Sequence, residues 1–302
     1  MPANNSLPWD VPLSGAGKAC MTGSQEYLRI MFDFSRRAGE IALEYISDSV
    51  PGLKSDRTII TKADRVISRL CRDMLGDFLK DPAHILIDEE DPGVAAYLDQ
   101  KKLESARFIW AVDPIDGTRL YANQMPTFGI SLGLIKDLKP WLGVVYFPML
   151  KELFFCDGTR AYFVRNAFSP QETRQMIVPQ DEHLGPQSIF FCNDTFFNKF
   201  NWEDKDFHIM IHACAVVNLC WPTIGRGVGC FLRSSLWDFA GSWPIMRAAG
   251  MDFRSVRDGK IFDQVDVSLF EKSPKAWELK EYYLISSQRN YQIIKSKIIE
   301  KT

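Results

Sequence analysis

The sequence predicts a mixed α/β protein, α+β in the segregation of its elements, with layered helices and sheets in two packed halves. Three observations carry that expectation. Apolar residues recur at helical spacing near the N-terminus, strand-like blocks separated by turn residues fill the middle, and strands alternate with helical stretches beyond Phe168. The halves span 25–165 and 166–302, after a leader over 1–24 with no usable periodicity. At 46% hydrophobic and 25% charged residues the composition is that of a folded globular chain, which excludes disorder as the default.

The elements follow in chain order. Between Gln25 and Ser47, Leu28, Met31, Phe32, Ala38, Ile41, Ala42, Tyr45 and Ile46 mark a helix that Pro51-Gly52 closes. A second helix runs from about Asp64 to Leu79. H-I-L-I-D-E-E-D then reads as a short buried strand ending in acid, and Tyr97 to Ser105 as a further helix. F-I-W-A-V, from Phe108, is a strand that Asp-Pro should force out of regular structure. I-S-L-G-L-I, W-L-G-V-V-Y-F and E-L-F-F-C form a meander. Beyond it, S-I-F-F-C and G-C-F-L read as strands, with helical stretches around 212–221, 238–249 and 290–300.

Charge and cysteine usage narrow the function. Thirty-six basic against 38 acidic residues leave a net charge of −2 and no polybasic field for nucleic acid or anionic lipid. The seven cysteines are scattered, with no Cys-x-x-Cys pair, which favours a reduced compartment over a disulfide framework. With no signal-like opening and no apolar stretch long enough to span a bilayer, the expected location is cytoplasmic.

The chemistry sits where carboxylates close strands. Glu89 and Glu90 end one strand, and Asp113 and Asp116 end another within W-A-V-D-P-I-D-G-T. The bend at Asp-Pro-Ile-Asp lets both aspartates face one point, joined by the Ile115 carbonyl. Converging oxygens without His or Cys make a hard-ion site suited to Mg²⁺ or Mn²⁺. Gly117-Thr118, before a short helical turn, offers free backbone N–H groups to a phosphate oxygen. Metal oxygens beside an anion cradle point to phosphate chemistry, although acids after strands also serve as turn formers and helix caps.

Four blocks in order resemble the inositol monophosphatase family of metal-dependent phosphatases, over about residues 25 to 300. They are Lys54 with T-K-A-D (61–64), D-E-E-D (88–91), W-A-V-D-P-I-D-G-T-R-L-Y-A-N (110–123) and L-W-D-F-A-G (236–241). S-R-R-A-G-E-I-A in the first helix also looks like the family's N-terminal helix. The resemblance implies a layered αβαβα sandwich of the sugar-phosphatase type with its cleft between the halves. It assigns Glu90, Asp113, the Ile115 carbonyl, Asp116 and Asp238 to two or three Mg²⁺ ions, with Mn²⁺ as a substitute. Glu90 and Thr118 would hold the attacking water, Asp64 would orient the threonine hydroxyl, and the Gly117 and Thr118 amides would receive phosphate. Ala213-Cys214-Ala215 would lie beside the substrate, with Asp116 and Asp238 at its edge. A homodimer, lithium inhibition and release of inorganic phosphate from a small phosphorylated metabolite are further implications. The nominal substrate is inositol monophosphate. Fructose 1,6-bisphosphate, 3′-phosphoadenosine 5′-phosphate and histidinol phosphate are alternatives, and a non-catalytic binding member is the competing class.

The departures bear on substrate. Inositol-type members carry a glutamate seven residues before the aspartate of Trp-Asp, where this chain has Phe231, followed by Leu232 and Arg233. Arg233 therefore points to a substrate with a second anionic group, or else is a solvent-facing loop residue. Asp88 stands where the family has glycine and would add negative charge near the metals. Arg119 and Leu120 replace small polar residues, and A-A-G-M (248–251) lacks a carboxylate of the family's pattern. His208 and His212 in H-I-M-I-H have the spacing of a helical zinc pair, but without the metalloprotease glutamate they read as core or surface histidines. G-R-G-V-G (225–229) reads as a turn, and Phe190-Phe191 with Phe196-Phe197 as core or subunit interface rather than a base-stacking platform.

Overall fold

The computed structural model describes residues 23–48, 51–53, 59–179, 184–203, 207–272 and 276–301. Most of the expected leader and Lys54 lie outside them. The helices are α1 Gly23–Tyr45, α2 Lys62–Met74, α3 Gln100–Ser105, α4 Thr118–Ala122, α5 Phe196–Lys199, α6 Ala215–Cys220, α7 Leu236–Ala240, α8 Trp243–Ala248 and α9 Gln288–Lys295. The strands of the first half are β1 Gly52–Leu53, β2 Ile59–Ile60, β3 His84–Asp88, β4 Phe108–Asp116, β5 Gly129–Lys136, β6 Lys139–Phe147, β7 Glu152–Cys156, β8 Ala161–Arg165 and β9 Thr173–Ile177. Those of the second are β10 Ile189–Cys192, β11 Phe200–Trp202, β12 His208–Ile211, β13 Gly229–Leu232, β14 Met251–Ser255, β15 Tyr283–Ser287 and β16 Ile298–Glu300.

Seven strands, β3 to β9, pair in sequence order, the first pair parallel and the rest an antiparallel meander. Strands alternate their side chains between faces, and this sheet buries both. Trp110 and Val112 pack under α1 and α2 with Met31, Phe34 and Ile67, whereas Ile109 and Ala111 pack on the other side with Trp237, Phe239 and Ala240 of α7. The second sheet has the order β12-β10-β13-β15-β14, its first three strands parallel. The helices α6, α7 and α8 lie between the two sheets, and α9 packs on β15. The layers thus run α, β, α, β, α.

One row of small residues decides how closely the middle helices approach. Ala111 of β4 pairs with Gly133 of β5, which pairs with Gly143 of β6. A methyl group on Gly133 would stand 2.5 Å from the carbonyl carbon of Ala240, and one on Gly143 would collide with the Gly241 carbonyl. The end of α7 therefore rests on the sheet backbone itself. Because Asp238 belongs to α7, this contact sets the height of a cleft carboxylate above β4.

Several expectations change. The second helix stops at Met74, a 3₁₀ turn covers Phe78–Lys80, and the helix expected over 97–105 splits into a 3₁₀ turn at Val94–Tyr97 and α3, capped by Asp99. H-I-M-I-H is the edge strand β12 rather than a helix, so its histidines lack the helical zinc spacing. The stretch 290–300 is helix and then strand, and β9, β11, β14 and β15 had no distinct signal. Phe190, Phe191 and Phe196 are buried core. The described cysteines are free and buried, and among the described residues no helix is long and apolar enough to cross a membrane.

Gly133→Ala should cost ~1–3 kcal/mol by overpacking and, by lifting α7, should lower turnover more than a surface substitution of equal ΔΔG. Urea melts and steady-state kinetics on the same preparation check this, and a neutral Gly133→Ala would contradict the seating of α7 on the sheet.

Candidate active site

Five strand ends meet at one cleft. The carboxyl ends of β3 and β4 bring Glu89, Asp116, Gly117 and Thr118, and those of β10, β12 and β13 bring Asn193, then His212 to Ala215, then Ser234 to Asp238. Parallel strands present their carboxyl ends to ligands because loops and helix starts gather there on a rigid base.

A single bulge aligns the aspartates. Asp113 pairs with Ser131 and Asp116 with Gly129, so three steps on β4 oppose two on β5. Pro114 has no N–H for the ladder, and the extra residue reverses the alternation of faces. Ile115 consequently joins Val112 in the core under α1 and α2, while Asp113 and Asp116 share the opposite side. The strand is thus not ended by Asp-Pro, as expected, but continues through it with one irregularity.

Alternation on β3 selects the glutamate. Leu86 packs toward α1 and α2 and Ile87 toward α7, so Asp88 follows the first and Glu89 the second. Glu89 lines the cleft and raises the pKa of Asp113, Asp116 and Asp238 by its charge. The structure thus places Glu89, rather than the expected Glu90, on the cleft side. Glu90 does not line the cleft, and its N–H donates to Asp88 Oδ1 at 3.0 Å. Asp88, expected to add charge near the metals, is instead buried on the α2 side. There Ser68 Oγ donates to it at 2.5 Å and Arg72 stands 3.5 Å away.

The remaining residues are fixed by backbone. Asp116 Oδ2 accepts from Val216 N at 2.5 Å and faces Cys214 Sγ at 3.2 Å, which ties β4 to the start of α6. Gly117 has φ of +83°, and a side chain there would come 3.1 Å from Cys214 Cβ, so both conformation and space require glycine. Tyr121 OH donates to the Ala42 carbonyl at 2.8 Å, anchoring α4 to α1. The Thr118 hydroxyl donates to the Ile115 carbonyl at 3.0 Å rather than to Asp64, whose Oδ2 accepts from Thr61 N and Thr61 Oγ1 at the start of α2. Asp238 accepts from Ser235 N at 2.9 Å in the same capping position of α7.

Ala213, Cys214 and Ala215 line the cleft, and so does Arg233, in its wider part. Arg233 is not solvent-facing: its Nε donates to the Leu279 carbonyl at 2.9 Å, and its guanidinium pairs with Glu278 at 3.1 Å and Glu271 at 3.7 Å. Phe231 is fully buried among Phe196, Phe200 and Tyr282. Sequence reasoning missed Asn193, Asn198, Lys199 and Ser234, whose place in the cleft follows only from the strand order.

Electrostatics define what the cleft accepts. Burial and mutual repulsion push Asp113 and Asp238 far above the usual carboxylate range. Asp116 is raised by burial to about 6, although the N–H groups at the start of α6 hold it down. Among the described residues none of these three aspartates is ion-paired to Lys or Arg, and Asp113 Oδ1 is buried with no hydrogen-bond partner. The donor set is all oxygen, which fits a hard divalent cation. Among the described residues no three such side chains are drawn tightly around one point. Glu89, Asp116 and Asp238 line the cleft with Gly117 and Thr118 beside them, and Asp113 is buried.

Such a fold and site define a hydrolase for phosphate esters that works with a hard metal ion. The inositol monophosphatase family model matches residues 24–294, and the chain belongs to that family. It is accordingly a phosphoric monoester hydrolase, and the family is magnesium-dependent. Inositol monophosphatase 1 of Solanum lycopersicum is 27% identical over 236 residues, 75% of this chain and 83% of its own. A fructose-1,6-bisphosphatase/inositol-1-monophosphatase of Thermotoga maritima is 28% identical over 208 residues, 67% of this chain and 73% of its own. An IMPase/NADP phosphatase solved with Mg²⁺ and phosphate shares the fold at a TM-score of 0.68, 15% identical and covering 91% of this chain and 95% of its own.

The raised aspartates give a stability test. A carboxyl whose folded pKa exceeds its unfolded value near 3.9 stabilises the fold while protonated, and that contribution is lost as pH rises through the folded pKa. In chelator the Tm should therefore fall from pH 5 to 7.5, and Asp238→Asn should melt a few degrees above wild type at pH 7.5. A lower Tm for Asp238→Asn under those conditions would contradict the repulsion.

Proposed function

We propose that this phosphatase hydrolyses a small sugar, polyol or nucleotide phosphate whose leaving group is not a bare polyol such as inositol. The observation that carries the reading is the meeting of Glu89, Asp113, Asp116 and Asp238 with Gly117, Thr118 and Cys214, in a chain whose Phe231 is buried in the core. At the sequence position where inositol-type members are expected to carry a glutamate, this chain has Phe231, whose ring is buried in the core and offers a polyol no hydroxyl acceptor. The relative from Thermotoga maritima, named for a bisphosphate and a monophosphate, is consistent with a family in which the leaving-group side varies.

Glu89, Asp113, the Ile115 carbonyl, Asp116 and Asp238 would hold two or three Mg²⁺ ions, with Mn²⁺ able to substitute. When bound, the ions supply charge neutralisation for the transferring phosphoryl group and activate water. The chain's own groups do the positioning. The Gly117 and Thr118 N–H groups orient the non-bridging phosphate oxygens. Thr118 Oγ, its proton committed to Ile115, turns a lone pair toward the attacking water. Glu89 accepts from that water on the opposite side. Val216 N, donating to Asp116, favours the ionised carboxylate against burial and aims it. No covalent nucleophile is required, since phosphoryl transfer depends mainly on positioning and electrostatics.

Phosphate release from a panel of inositol 1-phosphate, fructose 1,6-bisphosphate, 3′-phosphoadenosine 5′-phosphate and histidinol phosphate tests the reading. Magnesium-dependent release is expected from wild type, with at least a hundredfold loss in Asp116→Asn and with inositol 1-phosphate among the poorer esters. Preference for inositol 1-phosphate would refute the leaving-group argument.

A further inference from the structure

Beyond the carboxylates the cleft opens into a second chamber of about 810 Å³, which shares Glu89, Asn193, Ser234 and Asp238 with the catalytic chamber of about 390 Å³. A cleft of that size lies within the range of small-molecule binding sites. Trp237 and Tyr282 line it, with Asn198 and Lys199 at its rim.

Among the described residues three Lys or Arg side chains line the two chambers, and they differ in how far their charge is already used. Arg233 is engaged by Glu278, Glu271 and the Leu279 carbonyl. Arg119, beside the phosphate cradle, faces Asp194 at 3.8 Å. Lys199 has no carboxylate partner among the described residues, and its Nζ stands 5.7 Å from the centre of the Tyr282 ring.

The base of Lys199 is held firmly. It ends α5, whose Phe196 packs edge-on against Phe231 at 4.6 Å, and its carbonyl accepts from Lys301 N at 2.8 Å. The aromatic cluster around the buried Phe231 thus also carries the lysine.

We propose that the second chamber is a subsite for a second anionic group on the substrate, with Lys199 as its receiver. The preferred substrates are then small phosphate esters whose leaving group carries another phosphate or carboxylate. An ammonium ion is a point charge that suits a phosphate without demanding one orientation. Arg233, expected from the sequence to do this work, instead braces the chamber wall against Glu278. The inference rests on the hydrolase reading above and adds the residue that selects the substrate.

The test compares esters that differ only in the distal phosphate: fructose 1,6-bisphosphate with fructose 1-phosphate, and 3′-phosphoadenosine 5′-phosphate with adenosine 3′-monophosphate. In the magnesium-loaded enzyme the bisphosphate of at least one pair should have the higher kcat/KM. Lys199→Met should cut that ratio five- to tenfold through KM, and Lys199→Arg should restore most of it. An equal loss on both members of a pair, or no change in the ratio, overturns the subsite. If wild type turns over none of the four, the hydrolase reading fails for these esters, and calorimetric titration of the bisphosphates decides the subsite alone. A Kd at least fivefold weaker in Lys199→Met upholds it, and equal affinity or no binding by wild type overturns it.

Discussion

Repulsion among buried carboxylates is the constraint around which this molecule is built. Asp113 and Asp116 are buried and Asp238 half-buried, with Glu89 beside them, and burial first and mutual repulsion second drive the aspartate carboxyl groups toward the neutral form. A fold keeps such a cluster only if rigid elements hold each member and something offsets the charge. Here the rigid elements are a bulged strand, a strand end and a helix seated directly on glycine backbone. The offset comes partly from N–H groups, as at Asp116 and Asp238, and under the proposed function the rest falls to a divalent cation.

What the sequence disclosed and what it hid divide along physical lines. The D-P-I-D-G-T block was legible because every residue in it has a local reason: Pro114 interrupts the ladder, Gly117 takes a left-handed turn, and the acids flank both. The meander and the first two helices were legible from periodicity. The choice between Glu89 and Glu90 depended on which face of β3 looks toward α7, and D-E-E-D carries no period of its own once the apolar strand has ended. Asp64 and Asp238 illustrate a different ambiguity, since both occupy the third position of a capped helix start. For Asp64 the capping contacts to Thr61 are what the structure displays, whereas Asp238 caps α7 and lines the cleft as well.

The second half was harder to read because its sheet is assembled from distant pieces. H-I-M-I-H has alternate residues on the two sides of an edge strand, yet it is too short to separate that period from a helical one. Lys199 and Asn193 have no motif, and they reach the cleft only because β10 lies between β12 and β13. Conversely, Phe231 and Arg233 were singled out by comparison with the family pattern. The structure then gave them opposite characters, one a core ring and the other a braced cation.

The central claim is that Glu89, with the three aspartates, is charge-compensated by a divalent ion, and that Glu90 takes no part. Thermal melts of wild type, Glu89→Gln and Glu90→Gln with and without Mg²⁺ address it most directly. Magnesium should raise the Tm of wild type and of Glu90→Gln by similar amounts, as expected for a ligand bound only by the folded state, and should do little for Glu89→Gln. A magnesium response lost in Glu90→Gln and kept in Glu89→Gln would contradict the account.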